Sequence, residues 1–204
     1  MSMLETEVKF LIADVPRIRR AIIELGAESQ GRWLETNLCF EDPHKSLRRR
    51  KALLRLRQAR KTTLTFKSRP PQIDRQVKAL MELEVEVSDF AGMKAILEFL
   101  GYQAEQLYEK WRETFELDTT CFCLDTMPFG TFAEIEGPRE DIRRYAALLG
   151  LSWPHRILRT YLELFDIVRT NEGLNFSDVT FANFEGVQID IHAYLDQMAE
   201  GPFS

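Results

Sequence analysis

Charged and apolar side chains alternate along several short segments of this chain, and most charges within one segment have the same sign. Glu82, Glu84 and Glu86 alternate with leucine and valine, and Arg55 and Arg57 alternate with leucine. Successive side chains of a β-strand point to opposite faces. Such segments therefore predict strands that have one charged face and one apolar face.

These charged faces have two interpretations. In a half-exposed antiparallel sheet the polar face points to water, and this arrangement would explain the charged face of any single strand. Here the pattern recurs in most strands, the signs do not mix as they do on an ordinary surface, and amphipathic helices are available to cover the apolar faces. A sheet of this kind can close around a polar lumen. We predict an α+β fold, an eight-stranded antiparallel β-barrel with a charged lumen and helices packed on the outside.

Three stretches repeat one order of elements, an alternating strand, an amphipathic helix and a glycine at the helix end. The helices are predicted over residues 15–25, 90–100 and 138–149, and a fourth over 157–168. The strands between them include 33–40, 81–87 and 109–117, whereas residues 74–79 are predicted to form a mobile connection. We expect a main domain over residues 1–169 and a C-terminal extension of unknown role over 170–204.

The segregated charges predict the chemistry of a ligand. Acidic strands provide hard oxygen ligands that suit Mg²⁺ or Mn²⁺, and basic strands provide side chains that suit phosphate oxygens. Like charges two residues apart repel each other, so they require a bound species of opposite charge. A small-molecule polyphosphate with a bound metal ion satisfies both sets.

Composition excludes other partners. The 27 basic and 32 acidic residues give a net charge of −5, which argues against binding to nucleic acid. The basic run at 48–51 is predicted to form a solvated loop at a barrel mouth. The sequence has no signal-peptide pattern and no apolar run of membrane-spanning length, so we expect no membrane association and a cytoplasmic location. We expect a monomer or a homodimer.

The order of the charged motifs resembles a known family. Glu5-Thr6-Glu7-Val8-Lys9 matches the N-terminal Glu-x-Glu-x-Lys signature of the CYTH domain, also called the triphosphate tunnel metalloenzyme superfamily. Further segments resemble the family's strands in the same order, namely 53–57, 64–67, 82–87, 110–112, 124–125, 134–136 and the C-terminal segment 161–164. The resemblance covers residues 3–166, and the family includes class IV adenylyl cyclases, thiamine triphosphatases and inorganic triphosphatases.

The resemblance implies roles for individual side chains. The metal ligands would be Glu5, Glu7, Asp125, Glu134 and Glu136. The residues that bind the triphosphate would be Lys9, Arg55, Arg57, Lys67, Lys110 and Arg112. The catalytic residues would be Glu134, Glu136 and Lys9. Supporting residues that orient the basic side chains would be Glu82 and Glu84.

The resemblance also implies a metal-dependent enzyme, in the first place a class IV adenylyl cyclase that converts ATP to cyclic AMP and pyrophosphate. The alternative is a triphosphatase that hydrolyses inorganic triphosphate, thiamine triphosphate or a nucleoside triphosphate. The same lumen serves both reactions, since a ribose hydroxyl attacks in one and a water molecule in the other. A third possibility is a non-catalytic nucleotide- or polyphosphate-binding module, which would not need so complete an acidic set.

Overall fold

The structure, a computed structural model, describes residues 3–72 and 74–199. Within that part of the chain, the strands are β1 (Met3–Leu11), β2 (Glu28–Glu41), β3 (Leu53–Gln58), β4 (Thr62–Ser68), β5 (Lys78–Val87), β6 (Gln103–Leu117), β7 (Thr120–Met127) and β8 (Gly130–Glu136). They form a closed antiparallel barrel in the order β1-β5-β4-β3-β2-β6-β7-β8, and β8 pairs with β1. The predicted fold class is confirmed.

Six α-helices in the described residues pack around the barrel, namely α1 (Val15–Glu24), α2 (Ser46–Arg49), α3 (Phe90–Phe99), α4 (Arg139–Leu148), α5 (Tyr161–Glu172) and α6 (Leu195–Ala199). The predicted helices at 15–25, 90–100 and 138–149 are confirmed. The fourth begins four residues later than expected, because Thr160 and Glu163 form a reciprocal capping box at its start.

Three strands are longer than predicted because pairing in the barrel extends them beyond the apolar alternation. β2 and β6 pair over most of their lengths, with register shifts at Ser29/Gly31 and Cys39/Phe40. β5 begins at Lys78, which lies opposite Glu7 of β1. The expectation of a mobile connection is therefore wrong for residues 78 and 79, which belong to the barrel wall.

The apolar outer faces of the strands supply most of the core. α1 and α4 cover β1, β7 and β8, where Ile22, Phe122, Ile135 and Ile142 are buried in one cluster. α3 covers β2 and β3 through a smaller cluster centred on Leu97. The helices on the outside therefore leave the charged faces to form the lumen, as the alternation predicts.

One end of the barrel is covered by α5 and the chain that follows it. Val179 forms a parallel bridge with Tyr108 of β6. Ile191 lies so close to Gly130 of β8 that a Cβ atom on this glycine would be 2.6 Å from the Ile191 Cδ1 atom. The predicted boundary between residues 169 and 170 falls inside α5. The division into a domain and an extension stays a prediction, and residues 1, 2 and 200–204 lie outside the described residues.

Candidate active site

Lys9 lies between two carboxylates on the wall formed by β1 and β8. Its Nζ atom is 2.5 Å from Glu7 Oε1 and 3.2 Å from Glu134 Oε1, because Lys9 and Glu134 lie opposite each other in the paired strands. Burial disfavours the charge, but the two carboxylates raise the pKa of Lys9 above its ordinary value. Lys9 is therefore a fixed positive charge, suited to attract phosphate oxygens and not to act as a base.

Asp125 is completely buried where β6 and β7 pair, and cations and a hydroxyl surround both of its oxygens. Oδ1 accepts a hydrogen bond of 2.7 Å from Arg112 Nε. Oδ2 accepts from Arg112 Nη2 at 2.5 Å, from Lys110 Nζ at 2.8 Å and from the Tyr161 hydroxyl at 2.9 Å. Arg112 Nη2 also binds Glu134. A metal ion at Oδ2 of Asp125 would have to displace one of these donors.

Arg55 and Glu84 meet on the opposite wall, formed by β3, β4 and β5. Arg55 donates hydrogen bonds to the Tyr108 hydroxyl at 3.1 Å and to Thr65 Oγ1 at 3.3 Å. Thr65 in turn donates a bond of 2.7 Å to Glu84 Oε2, which lies 3.9 Å from Arg55 Nη2. Glu84 therefore lies within reach of Arg55 and is joined to it through Thr65, and its supporting role stays a prediction.

Lys67 connects β4 to two acidic strands. Its Nζ atom binds Glu5 of β1 and lies 2.8 Å from Glu82 Oε2 of β5. Burial, a hydrogen bond that protonated Glu5 donates to the Glu82 carboxylate and the charge of Glu7 together raise the pKa of Glu5 to about 8. Burial and Glu7 likewise raise the pKa of Glu136. This wall therefore holds more carboxyl groups than its lysines can neutralise.

The carboxyl groups of this wall have the chemistry of a hard-cation site. Glu5, Glu7, Glu134 and Glu136 come from the paired strands β1 and β8, with Glu7 opposite Glu136. Among residues 3–72 and 74–199, no three acidic, cysteine or histidine side chains already converge on one metal position. Burial is the largest cause of the raised pKa values of Glu5 and Glu136, and the neighbouring carboxylates raise them further. A divalent cation would offset this second contribution. The donor set therefore fits Mg²⁺ or Mn²⁺, provided that the carboxylates exchange their lysine partners for the ion.

A cavity of about 400 Å³ opens at one end of the barrel. Its walls carry four basic side chains and two glutamates among twelve residues, which are Trp33, Glu35, Arg57, Ala59, Arg60, Lys61, Thr63, Arg112, Thr114, Cys121, Cys123 and Glu136. Along the inner face of β2, Trp33 lines this cavity, whereas Cys39 packs in the cluster that contains α5. The cavity is therefore at the end opposite α5.

The basic run at 48–51 lies at the covered end. α2 follows directly after β2, whose last residue Glu41 accepts hydrogen bonds from the backbone N–H groups of Leu47 and Arg48. The basic residues at the open mouth are instead Arg60 and Lys61, in the turn between β3 and β4. The run is solvent-exposed as expected, but the predicted loop is wrong for Arg48 and Arg49, which belong to α2, and the run does not border the cavity.

Three lumen residues escape prediction from the sequence. Glu35 is buried and lies 3.5 Å from Arg57 Nη1 and 3.6 Å from Lys110 Nζ. The residues two positions away in its strand are uncharged, so the alternation of like charges does not predict that Glu35 faces the lumen. Lys78 binds Glu7 at 2.7 Å but precedes the predicted start of β5. Tyr161 reaches Asp125 only because α5 covers the barrel end, which no local pattern encodes.

The fold and the lumen define a barrel protein that encloses opposed acidic and basic side chains. The family model of the CYTH domain matches residues 3–151, and the chain belongs to that family. No protein of curated function matches the sequence. Within the described residues, no helix has the length and apolar character that a membrane crossing requires.

Solved structures share this fold. A proposed adenylate cyclase from Vibrio parahaemolyticus superimposes with a TM-score of 0.70 at 22% identity, covering 81% of this chain and 99% of its own. A protein from Pyrococcus horikoshii has a TM-score of 0.67 at 28% identity, with coverages of 78% and 98%. A proposed adenylyl cyclase from Hippeastrum, described as having a dominant triphosphatase activity, has a TM-score of 0.53 at 18% identity, with coverages of 92% and 98%.

Proposed function

We propose that the barrel binds a triphosphate with a divalent metal ion and cleaves one of its phosphoanhydride bonds. One observation carries this proposal, namely that four basic side chains line the same cavity as Glu136 inside a closed barrel. Arginine and lysine side chains bind phosphate oxygens, and the low dielectric of an enclosed site strengthens that attraction. A surface patch of the same composition would be screened by salt.

The first candidate reaction is that of a class IV adenylyl cyclase. The ribose 3′ oxygen of ATP would form a bond to the α-phosphorus, the bond from that phosphorus to the bridging oxygen would break, and pyrophosphate would leave. The second candidate is a triphosphatase, in which a water oxygen would form a bond to the terminal phosphorus and the bond from that phosphorus to the bridging oxygen would break. The diphosphate part of the substrate would leave, and the terminal phosphate would become orthophosphate. The Hippeastrum protein, which covers 92% of this chain and is described as having a dominant triphosphatase activity, supports this second candidate.

The side chains of the lumen would divide the work of either reaction. Arg57 and Arg112 would bind the phosphates in the cavity, and the fixed charges of Lys9, Lys110, Arg55 and Lys67 would add to the positive potential behind them. Glu136 borders the cavity and would accept the proton of the attacking hydroxyl group or water. Glu5, Glu7, Glu134 and Glu136 would hold the divalent ion, which would neutralise phosphate charge when bound.

A product assay tests the proposal. The protein is incubated with ATP, thiamine triphosphate or tripolyphosphate, each with Mg²⁺ or Mn²⁺. Cyclic AMP with pyrophosphate identifies the cyclase, and orthophosphate identifies the triphosphatase. Tight binding without turnover identifies a non-catalytic binding module and contradicts the proposed cleavage.

A further inference from the structure

Trp33 occupies a position in the open cavity that phosphate binding does not explain. It is half-buried, and it lies opposite Arg112 in the ladder between β2 and β6. Side chains that face each other across such a ladder have Cβ atoms about 5 Å apart. A group in contact with the indole ring would therefore be adjacent to a phosphate that Arg112 binds.

The Trp33 ring does not serve the hydrophobic core. It belongs to none of the three apolar clusters that the described residues form, whereas Trp153 packs against the first of them. The nearest atom to a Cβ built on Gly31 is Cζ3 of Trp33, at 3.4 Å. Gly31 is the next residue outward on the same face of β2, and it has no side chain that would hide the ring from the mouth.

The depth of Trp33 in the barrel suits an extended ligand. Inward from the mouth, the inner face of β2 carries Trp33, then Glu35 and then Asn37, and the last two are buried. Glu35 lies opposite Lys110 of β6 and Asn37 opposite Arg57 of β3, so basic side chains lie deeper in the lumen than Trp33, whose ring borders the outer part of the cavity. Such an order matches a molecule that has an anionic tail and an aromatic head.

We propose that Trp33 stacks on a heteroaromatic ring of the substrate, so that the substrate is an organic triphosphate and not inorganic triphosphate. This inference rests on the proposed function and names its substrate class. An indole face binds a nucleobase by stacking and a cationic heterocycle by cation–π attraction. Both ATP and thiamine triphosphate have such a ring, whereas tripolyphosphate has no group that could gain from this contact.

The variants Trp33→Ala and Trp33→Phe test the inference, and Trp111→Ala is the matched control. Trp111 is on the neighbouring strand, faces outward beside Leu34 and is 36% exposed. We expect Trp33→Ala to raise KM for the preferred organic triphosphate by roughly tenfold, the typical loss of one stacking contact. KM for tripolyphosphate should change less than about twofold, because no ring is lost from its complex. Trp33→Phe should restore most of the affinity, and Trp111→Ala should behave as wild type.

Comparing ATP with thiamine triphosphate identifies which heterocycle the ring accepts. Isothermal titration calorimetry of the same variants with the same three compounds measures affinity even if no compound is cleaved. Absence of turnover with a ring-specific loss of affinity in Trp33→Ala would overturn the proposed cleavage and retain this inference. Equal losses for all three compounds, no loss for any of them, or binding of tripolyphosphate alone would overturn the inference.

Discussion

The hydroxyl group of Tyr161 donates a hydrogen bond of 2.9 Å to Oδ2 of Asp125. This bond joins α5, which covers one end of the barrel, to the ion-pair network of the lumen. The Tyr161 ring also lies 5.3 Å from Lys9 Nζ and 5.2 Å from Lys110 Nζ. The helix that closes the barrel therefore contributes to the electrostatics of the site.

Asp125→Asn should destabilise the fold more than Tyr161→Phe. The asparagine removes the carboxylate that Lys110 and Arg112 share and leaves them only Glu35 and Glu134 as buried counter-charges, which should lower the free energy of unfolding by about 3 kcal/mol. The phenylalanine removes one hydrogen bond and keeps the ring, which should cost about 1 kcal/mol. Urea unfolding at neutral pH measures both values, and the opposite ranking would show that Asp125 is not the centre of this network.

Glu134→Gln should lower turnover by roughly 100-fold, a typical loss when one charged group of a preorganised site is removed. Glu134 binds Lys9 and Arg112, so its amide would misplace both cations as well as removing an oxygen ligand. Steady-state kinetics and circular dichroism test the prediction together. Glu113→Gln is the control, because Glu113 binds Arg19 of α1 outside the lumen. Equal activities of the two variants would contradict the assignment of Glu134 to the active site.

Arg57→Ala should lower kcat/KM by roughly 10- to 100-fold, because a charged hydrogen bond to the substrate is lost. Arg57 lines the cavity and donates a bond of 3.1 Å to Asn37 Oδ1, which fixes its direction. Arg57→Lys should recover only part of the activity, since an ammonium group cannot reproduce the planar guanidinium. Arg32→Ala, on the exposed outer side of β2, should leave kinetics unchanged. A wild-type kcat/KM in Arg57→Ala would show that Arg57 does not bind the phosphates of the substrate.

Glu35 should make the stability of the protein depend on pH in the acidic range. Burial alone would raise the pKa of Glu35, but the charges of Lys110 and Arg57 lower it from 4.5 to about 2. A lowered pKa means that the carboxylate stabilises the fold above pH 4.5 and that this contribution is lost as the pH falls towards 2.

Glu35→Gln removes that contribution. The wild type should be more stable than Glu35→Gln by about 3 kcal/mol at pH 7. The difference should shrink steadily between about pH 5 and pH 2, where Glu35 takes up a proton. Chemical unfolding of both proteins at a series of pH values measures this difference in the free energy of unfolding. A difference that is constant over this range would mean that Glu35 is not held as a charged partner of Arg57 and Lys110.

Much of the lumen was predictable because alternation along a strand assigns each side chain to a face. Arg55 and Arg57 face inward together, as do Glu134 and Glu136, and each pair is two residues apart. Lys78 was not predictable in this way, because it precedes the regular part of β5 and is ordered by pairing with β1. The lumen position of Glu35 was not predictable either, since its counter-charges come from β3 and β6 and not from its own strand.

The sequence by itself determined the fold class, the charged inner faces and the family, because the period of two and the order of the motifs are local properties of the chain. Only the tertiary structure decided that Lys9 lies between Glu7 and Glu134, that Asp125 is enclosed by Lys110, Arg112 and Tyr161, and which end of the barrel is open. Those relationships depend on the register of strands distant in sequence and on where α5 packs, and both arise when the barrel closes.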